Sequence, residues 1–288
     1  VRVVVVGAGG LGSYVGAVLH RAGHDVVLVA RGAHADAIRR DGLKVSTADG
    51  DFVVRPTCRP SALEVDGADL AIVGVKAFSL DDVAPQVAHL AEAGSVVVPF
   101  LNGVTACDRL VALGVPGDRL VDGIAYMTAF RTDPGRIVRR AAHHRLVIGS
   151  STGADASSID RIREAFADTD VEVVPATNIL VELWQKMAVV CSLSVICGLT
   201  GASMGPIRAH RFGADIQRYA IAEITAVARA RGVALAPDTE VRVGAILDAF
   251  PEDFVPSVIH DLGAGRRTEM EQLGGVIVDL GRRVGVDT

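Results

Sequence analysis

The chain has 288 residues, more than a single hydrophobic core usually serves, so two domains are expected. Hydrophobic residues make up 50% and charged residues 22%, the composition of a folded protein. Aromatics at 4% offer little surface for stacking bases or sugars, and a net charge of −5 disfavours nucleic acid and anionic membrane, which leaves a small molecule as the partner. Cys58, Cys107, Cys191 and Cys197 show neither metal-ligand spacing nor a disulfide framework and are expected as buried thiols in a reducing cytoplasm. No uninterrupted apolar segment reaches the ~18 residues of a spanning helix, and there is no export signal, so the expected location is cytoplasmic, without membrane insertion. The chain begins inside a strand pattern without an initiator Met, and is expected to be trimmed at its ends.

The first stretch, Val1 to Arg31, organises the rest. An apolar run from Val3 to Val6 leads into Gly7-Ala8-Gly9-Gly10-Leu11-Gly12, then a helical pattern, then a second apolar run from Val26 to Val29. In a strand, glycine turn, helix, strand unit, Gly7 permits the tight turn, Gly9 lets the backbone approach a pyrophosphate, and Gly12 lets the helix pack on the strand. The amides of Gly10, Leu11 and Gly12 at the helix start then face the anion. After the second strand stand Ala30-Arg31-Gly32, with no acid to accept from a ribose 2′-OH. A guanidinium there suits a phosphate, so the pocket reads as one for NADP, with a solvated surface arginine as the alternative.

Further along, a helix near Ala33 to Arg40 is followed by a hairpin from Gly42 through Asp49-Gly50-Asp51. Asp69 to Val75 is a near-continuous apolar run, as in a parallel strand buried on both faces, and ends at Lys76. A helix (Leu80 to Ala93), a strand (Ser95 to Pro99), a loop with Asn102-Gly103 and a helix (Thr105 to Leu113) continue a doubly wound α/β pattern. Strands near Leu120 to Ala125, Arg145 to Ile148 and Val171 to Val174, with a helix near Ile159 to Phe166, complete a Rossmann-type domain over residues 1–175. Residues 176–288 turn helical, over Ile179 to Cys197, Ile216 to Arg231, Thr239 to Ala249 and Arg266 to Val284, and form an all-helical domain whose cleft with the first is expected to hold the substrate.

Lys76 and Asn102 each follow a buried strand at its carboxyl end, where open α/β sheets bind ligands; a capping or solvated role is the competing reading. Lys186 stands in the apolar helix Leu183-Trp184-Gln185-Lys186-Met187-Ala188-Val189-Val190. It is either paired with Glu182 four residues earlier or held in a site, where partial burial would lower its pKa and make it a proton donor for carbonyl reduction. The string from Pro256 to Glu269, polar and glycine-rich, has site character, although Thr268-Glu269 also reads as a helix start. His143-His144 has no ligand at metal spacing and is expected as a surface strand pair, and no metal site is expected.

Taken together these segments resemble the ketopantoate reductase (2-dehydropantoate 2-reductase) family over nearly the whole chain. VVVVGAGGLGSYVGAVLHRAGHDVVLVARG is similar to its nucleotide-binding unit, VGVKAF to its lysine motif and LNGV to its QNGV motif, with Leu101 in place of Gln. LWQKMAVV is similar to the helix carrying the catalytic lysine, and SVIHDLGAGRRTEME to the segment carrying a substrate-binding serine and a glutamate. The resemblance implies NADPH as cofactor, bound by Gly7, Gly9, Gly10, Leu11, Gly12, Arg31, Lys76 and Asn102. It implies Lys186 and Glu269 as catalytic residues, and Asn102, Lys186, Ser194, Ser257 and Glu269 around the substrate. The family's asparagines four and eight residues beyond the lysine are Val190 and Ser194 here, and its Asn-Gly after the glutamate is Gly274-Gly275.

The resulting expectation is an NADPH-dependent reductase of a small 2-oxo acid, with ketopantoate the first substrate, no nucleic-acid or membrane partner, and a homodimer compatible with it. The alternatives are a paralogue reducing a more apolar oxo acid and a non-catalytic NADPH-binding regulatory protein.

Overall fold

In this computed structural model, which describes residues 1–140 and 144–288, the chain opens with β1 (Arg2–Val6), α1 (Gly10–Arg21), β2 (Asp25–Val29) and α2 (Gly32–Asp41). A hairpin of β3 (Leu43–Thr47) and β4 (Gly50–Val54) is followed by β5 (Thr57–Arg59), β6 (Leu70–Val73), α3 (Leu80–Glu92), β7 (Val96–Pro99) and α4 (Ala106–Ala112). Then come β8 (Asp122–Tyr126), β9 (Ala129–Asp133), β10 (Arg136–Arg139), β11 (Arg145–Gly149), α5 (Ala156–Ala165) and β12 (Glu172–Pro175).

The strands β5-β2-β1-β6-β7 form a five-stranded sheet, parallel throughout. With β5 counted third, this is the 3-2-1-4-5 order of a dinucleotide fold. The central strand explains the unbroken valine run. Val3 and Val5 join one core with Tyr14, Val15 and Leu19 of α1, while Val4 and Val6 join a second with Leu80, Val87 and Leu90 of α3. A strand covered on both faces has no polar side to offer, so alternation disappears.

Not every later strand joins that sheet. Strands β4-β3-β10-β9 form a second sheet and β12-β11-β8 a third, in which β8 runs antiparallel to β11. The strands β5, β9 and β10 are absent from the sequence reading. They are three to five residues long, and β9 and β10 carry charged residues split by Pro134-Gly135, so hydrophobic periodicity has too little length to register. His143 lies outside the described residues; His144 is 3.8 Å from Asp170.

The remaining helices are α6 (Ile179–Thr200), α7 (Met204–Ala209), α8 (Gly213–Ala230), α9 (Thr239–Asp248), α10 (Ser257–Gly263) and α11 (Val276–Val284). Contacts divide the chain into two compact units, Val1–Leu101 with Thr105–Ile179, and Asn102–Val104 with Leu180–Thr288. In the second unit α6 is the core helix: Trp184, Met187, Ala188, Cys191 and Ile196 pack with Ile221, Ile224 and Val227 of α8, Val243 of α9 and Leu280 of α11. At 22 residues and a mean hydropathy of 1.7, α6 is long and apolar enough to cross a bilayer by length and composition, and a helix buried inside a protein needs the same composition.

The single helix expected from Arg266 to Val284 is broken. Arg266 turns back, its Nε donating to Asp261 Oδ1 at 2.9 Å, and a π-helical turn over Glu271–Gly275 precedes α11. Gly274 in that turn is packed close to α6, since a Cβ there would lie 3.1 Å from Val195 Cγ2.

Candidate active site

In the first unit the glycine turn is built by close approaches. Gly7 has φ +102°, and a Cβ on it would lie 2.5 Å from Val75 Cγ1 and 2.9 Å from the Val75 nitrogen. A Cβ on Gly12 would stand 2.2 Å from the Gly7 carbonyl oxygen, and one on Gly10 2.1 Å from the Ala129 carbonyl of β9. The fold itself therefore requires these three glycines. Gly9 differs: a Cβ there would meet only the Gly74 oxygen at 3.6 Å, ordinary van der Waals contact. Gly9 is also the N-cap of α1, without a side chain to cap it, and no acid stands in the first turn. The amides at Gly10 and Leu11 thus begin a helix whose positive end is unneutralised by its own side chains. An open cradle over Gly9 and those amides fits a dinucleotide pyrophosphate.

Arg31 follows β2 as the N-cap of α2, is exposed, and donates through Nε to the Pro60 carbonyl at 2.9 Å. That bond fixes the guanidinium while leaving its terminal nitrogens without partners among the described residues, an arrangement suited to a phosphate. Lys76 is exposed, three residues beyond the end of β6, and its carbonyl accepts from the Ser79 N–H at 2.8 Å to start a short 3₁₀ turn. Asn102 is half-buried, three residues beyond β7, and groups with the second unit.

In the second unit Lys186 is half-buried on the apolar α6, and burial lowers its pKa from 10.5 to about 8. The charge of Glu269, itself only 8% exposed, acts in the opposite direction and supports the ammonium form. Glu269 is therefore the carboxylate whose field acts on the lysine; Glu182 is not. Ser257, exposed, is the first residue of α10, and its neighbour Val258 lies with Met270 against α6, 3.9 and 3.6 Å from where a Gly198 Cβ would be. Gly103 approaches the Gln272 carbonyl in the same way, at 3.3 Å. The start of α10, the loop at 102–104, the π-turn and α6 thus meet within one unit. Val190 is half-buried and Ser194 buried, one and two turns beyond Lys186. Single-turn π-helical insertions such as 271–275 are frequent at functional sites.

No group of metal-binding side chains occurs among the described residues. The four cysteines are buried free thiols, and burial pushes Cys191 up to about 12, too high for a thiolate nucleophile. His34 and Ser13 form a buried polar pair that sequence pattern does not single out; the histidine three residues after Arg31 is the available signal.

A dinucleotide fold followed by a helical unit carrying a desolvated lysine, on which the charge of a carboxylate acts, fits a nicotinamide-dependent oxidoreductase. Family models described as "Ketopantoate reductase PanE/ApbA" and its C-terminal counterpart match residues 3–153 and 178–288. The chain belongs to the ketopantoate reductase family, NADP-dependent oxidoreductases that act on the CH–OH group and reduce 2-oxo acids. It is 31% identical over 289 residues to a 2-dehydropantoate 2-reductase of Mycobacterium tuberculosis, covering 99% of this chain and 92% of that one. It is 29% identical to an uncharacterized oxidoreductase, YkpB, of Bacillus subtilis, covering 98% and 93%. Among solved structures, the PanE/ApbA family ketopantoate reductase of Ralstonia eutropha JMP134 superposes with a TM-score of 0.89 at 29% identity, covering 100% and 93%.

Proposed function

We propose that the chain is a cytoplasmic NADPH-dependent reductase of a small 2-oxo acid, with ketopantoate the first substrate and pantothenate biosynthesis its setting. The observation that carries this reading is Lys186, desolvated in an apolar helix so that its pKa falls to about 8, with the charge of Glu269 opposing the shift and favouring the ammonium. In this reading Gly9 and the first amides of α1 hold the pyrophosphate, Arg31 the 2′-phosphate, and Lys76 and Asn102 the rest of the dinucleotide. Bound NADPH supplies the hydride that the carbonyl carbon accepts. As the oxygen gains charge, the Lys186 ammonium gives it a proton, yielding the 2-hydroxy acid and a neutral amine that solvent reprotonates. Glu269 keeps Lys186 charged between turnovers. Asn102, Ser257 and Ser194 position the substrate's polar groups.

A second reading concerns the side chain of the acid. Valine at 190 offers no hydrogen bond where the family has an asparagine, and an unpaired buried hydroxyl costs roughly 1 to 3 kcal/mol, or about 5- to 150-fold. Ser194 offsets part of this. The expected result is weak ketopantoate reduction and faster reduction of 2-oxo acids with alkyl side chains. The test is kcat/KM by NADPH oxidation over such a panel, for the native chain and Val190→Asn. Efficient ketopantoate reduction by the native chain, unimproved by asparagine, overturns the apolar reading and supports the plain family one. Tight NADPH binding with no oxidation by any member supports the regulatory alternative. Sedimentation of the same sample tests for a homodimer.

A further inference from the structure

His34 is only 5% exposed and occupies the first turn of α2, three residues after Arg31. The Gly135 N–H, in the turn between β9 and β10, donates to its Nδ1 at 2.9 Å. A backbone N–H can only donate, so Nδ1 carries the lone pair and the ring proton sits on Nε2. Nε2 lies 3.3 Å from Ser13 Oγ in the first turn of α1, and the ring also bonds the backbone of Ala8, inside the glycine turn. Ser13 is wholly buried. One imidazole therefore joins the glycine turn, the start of α1, the start of α2 and the β9–β10 turn. Burial and the charge of Arg131 on β9 lower its pKa to about 4, so the neutral tautomer that these bonds require persists at neutral pH.

We propose that His34 is a positioning residue for the dinucleotide, fixing the Arg31 segment against the glycine turn and so setting the span between the pyrophosphate and 2′-phosphate positions. The proposal rests on the reading that Arg31 takes the 2′-phosphate. A purely structural histidine would affect melting alone, or both cofactors alike. A positioning one acts on NADPH through Arg31.

The test is calorimetric titration of NADPH and NADH into the native chain and His34→Phe, His34→Gln and Ser13→Ala, each with and without Arg31→Ala, with thermal melts of the cofactor-free proteins. His34→Phe keeps a ring without nitrogens and is expected to weaken NADPH about 3- to 30-fold, the scale of one misplaced charge-assisted hydrogen bond, and NADH far less. His34→Gln, which retains a donor and an acceptor, recovers most of the loss, and Ser13→Ala shows a smaller loss of the same kind. On the Arg31→Ala background the histidine substitution has no further effect on NADPH, because contacting groups in one network are non-additive. Equal losses for both cofactors, or an undiminished NADPH loss on that background, overturn the proposal while leaving Arg31 in its role. An Arg31→Ala variant with unchanged cofactor preference overturns the Arg31 reading and the proposal with it. If His34→Phe does not fold, Ser13→Ala on both backgrounds decides by the same criteria.

Discussion

Gly9→Ala separates what the fold needs from what the cofactor needs. Gly9 has φ −74° and ψ −161°, which alanine adopts freely, and the added methyl would find only the Gly74 oxygen at 3.6 Å. The methyl meets no obstacle, and the unfolded chain loses freedom worth about 0.4–1 kcal/mol in favour of the native form. An N-cap, however, prefers glycine to alanine by a similar amount, which offsets the gain. For a domain of this size the Tm is therefore expected to stay within about 4 °C of the native value. The same methyl occupies the space left over the turn, where the pyrophosphate must lie against the first amides of α1. Loss of one charged hydrogen bond costs roughly 1.5–3 kcal/mol, so NADPH affinity is expected to fall about 10- to 150-fold. Melting of the cofactor-free protein and calorimetric titration with NADPH give both numbers from one preparation. Gly12→Ala is the control: a Cβ 2.2 Å from the Gly7 carbonyl must destabilise the unit itself. A Gly9→Ala protein that binds NADPH as tightly as the native one would refute the placement of the pyrophosphate over Gly9.

Arg31→Ala is expected to weaken NADPH about tenfold or more and NADH little, since a charge-assisted contact to the 2′-phosphate is lost; equal losses count against the assignment. Lys186→Ala should lower kcat by about 10² to 10⁴ while NADPH still binds, checked by turnover and titration together. With Lys186 near 8, the native rate should decline as pH rises through about 8 and the acid form is lost. Glu269→Gln removes the charge that favours the ammonium and should move that limb to lower pH; a limb that stays in place argues against the coupling. His34, depressed to about 4, binds a proton more readily unfolded than folded, so its contribution to stability is complete above about 6.5 and lost as pH falls toward 4. Denaturant titrations across that range should show a shallower acid loss in His34→Gln.

Local chemistry made the dinucleotide half legible from the chain alone. The valine run reads as a doubly buried strand, and the glycines with Arg31 lie within one short unit, so strand, turn and helix follow from neighbours in sequence. The same holds for Lys186, conspicuous as a lone base in an apolar helix. Other features depend on contacts between distant residues. That Gly10 is needed for the approach of β9 is decided by Ala129, far along the chain, while Gly9 has only the Gly74 oxygen within reach, at van der Waals distance. That Lys186 answers to Glu269 and not to Glu182 follows from the path of the segment after α10, which the sequence reads as the start of a continuous helix. Gly274 and Gly275 permit a π-turn there, but close packing against Val195 shows what the turn accommodates. The strands β9 and β10 and the ring of His34 belong to this second class. A short strand, or a buried imidazole, is specified by its partners, and periodicity along the chain carries no record of them.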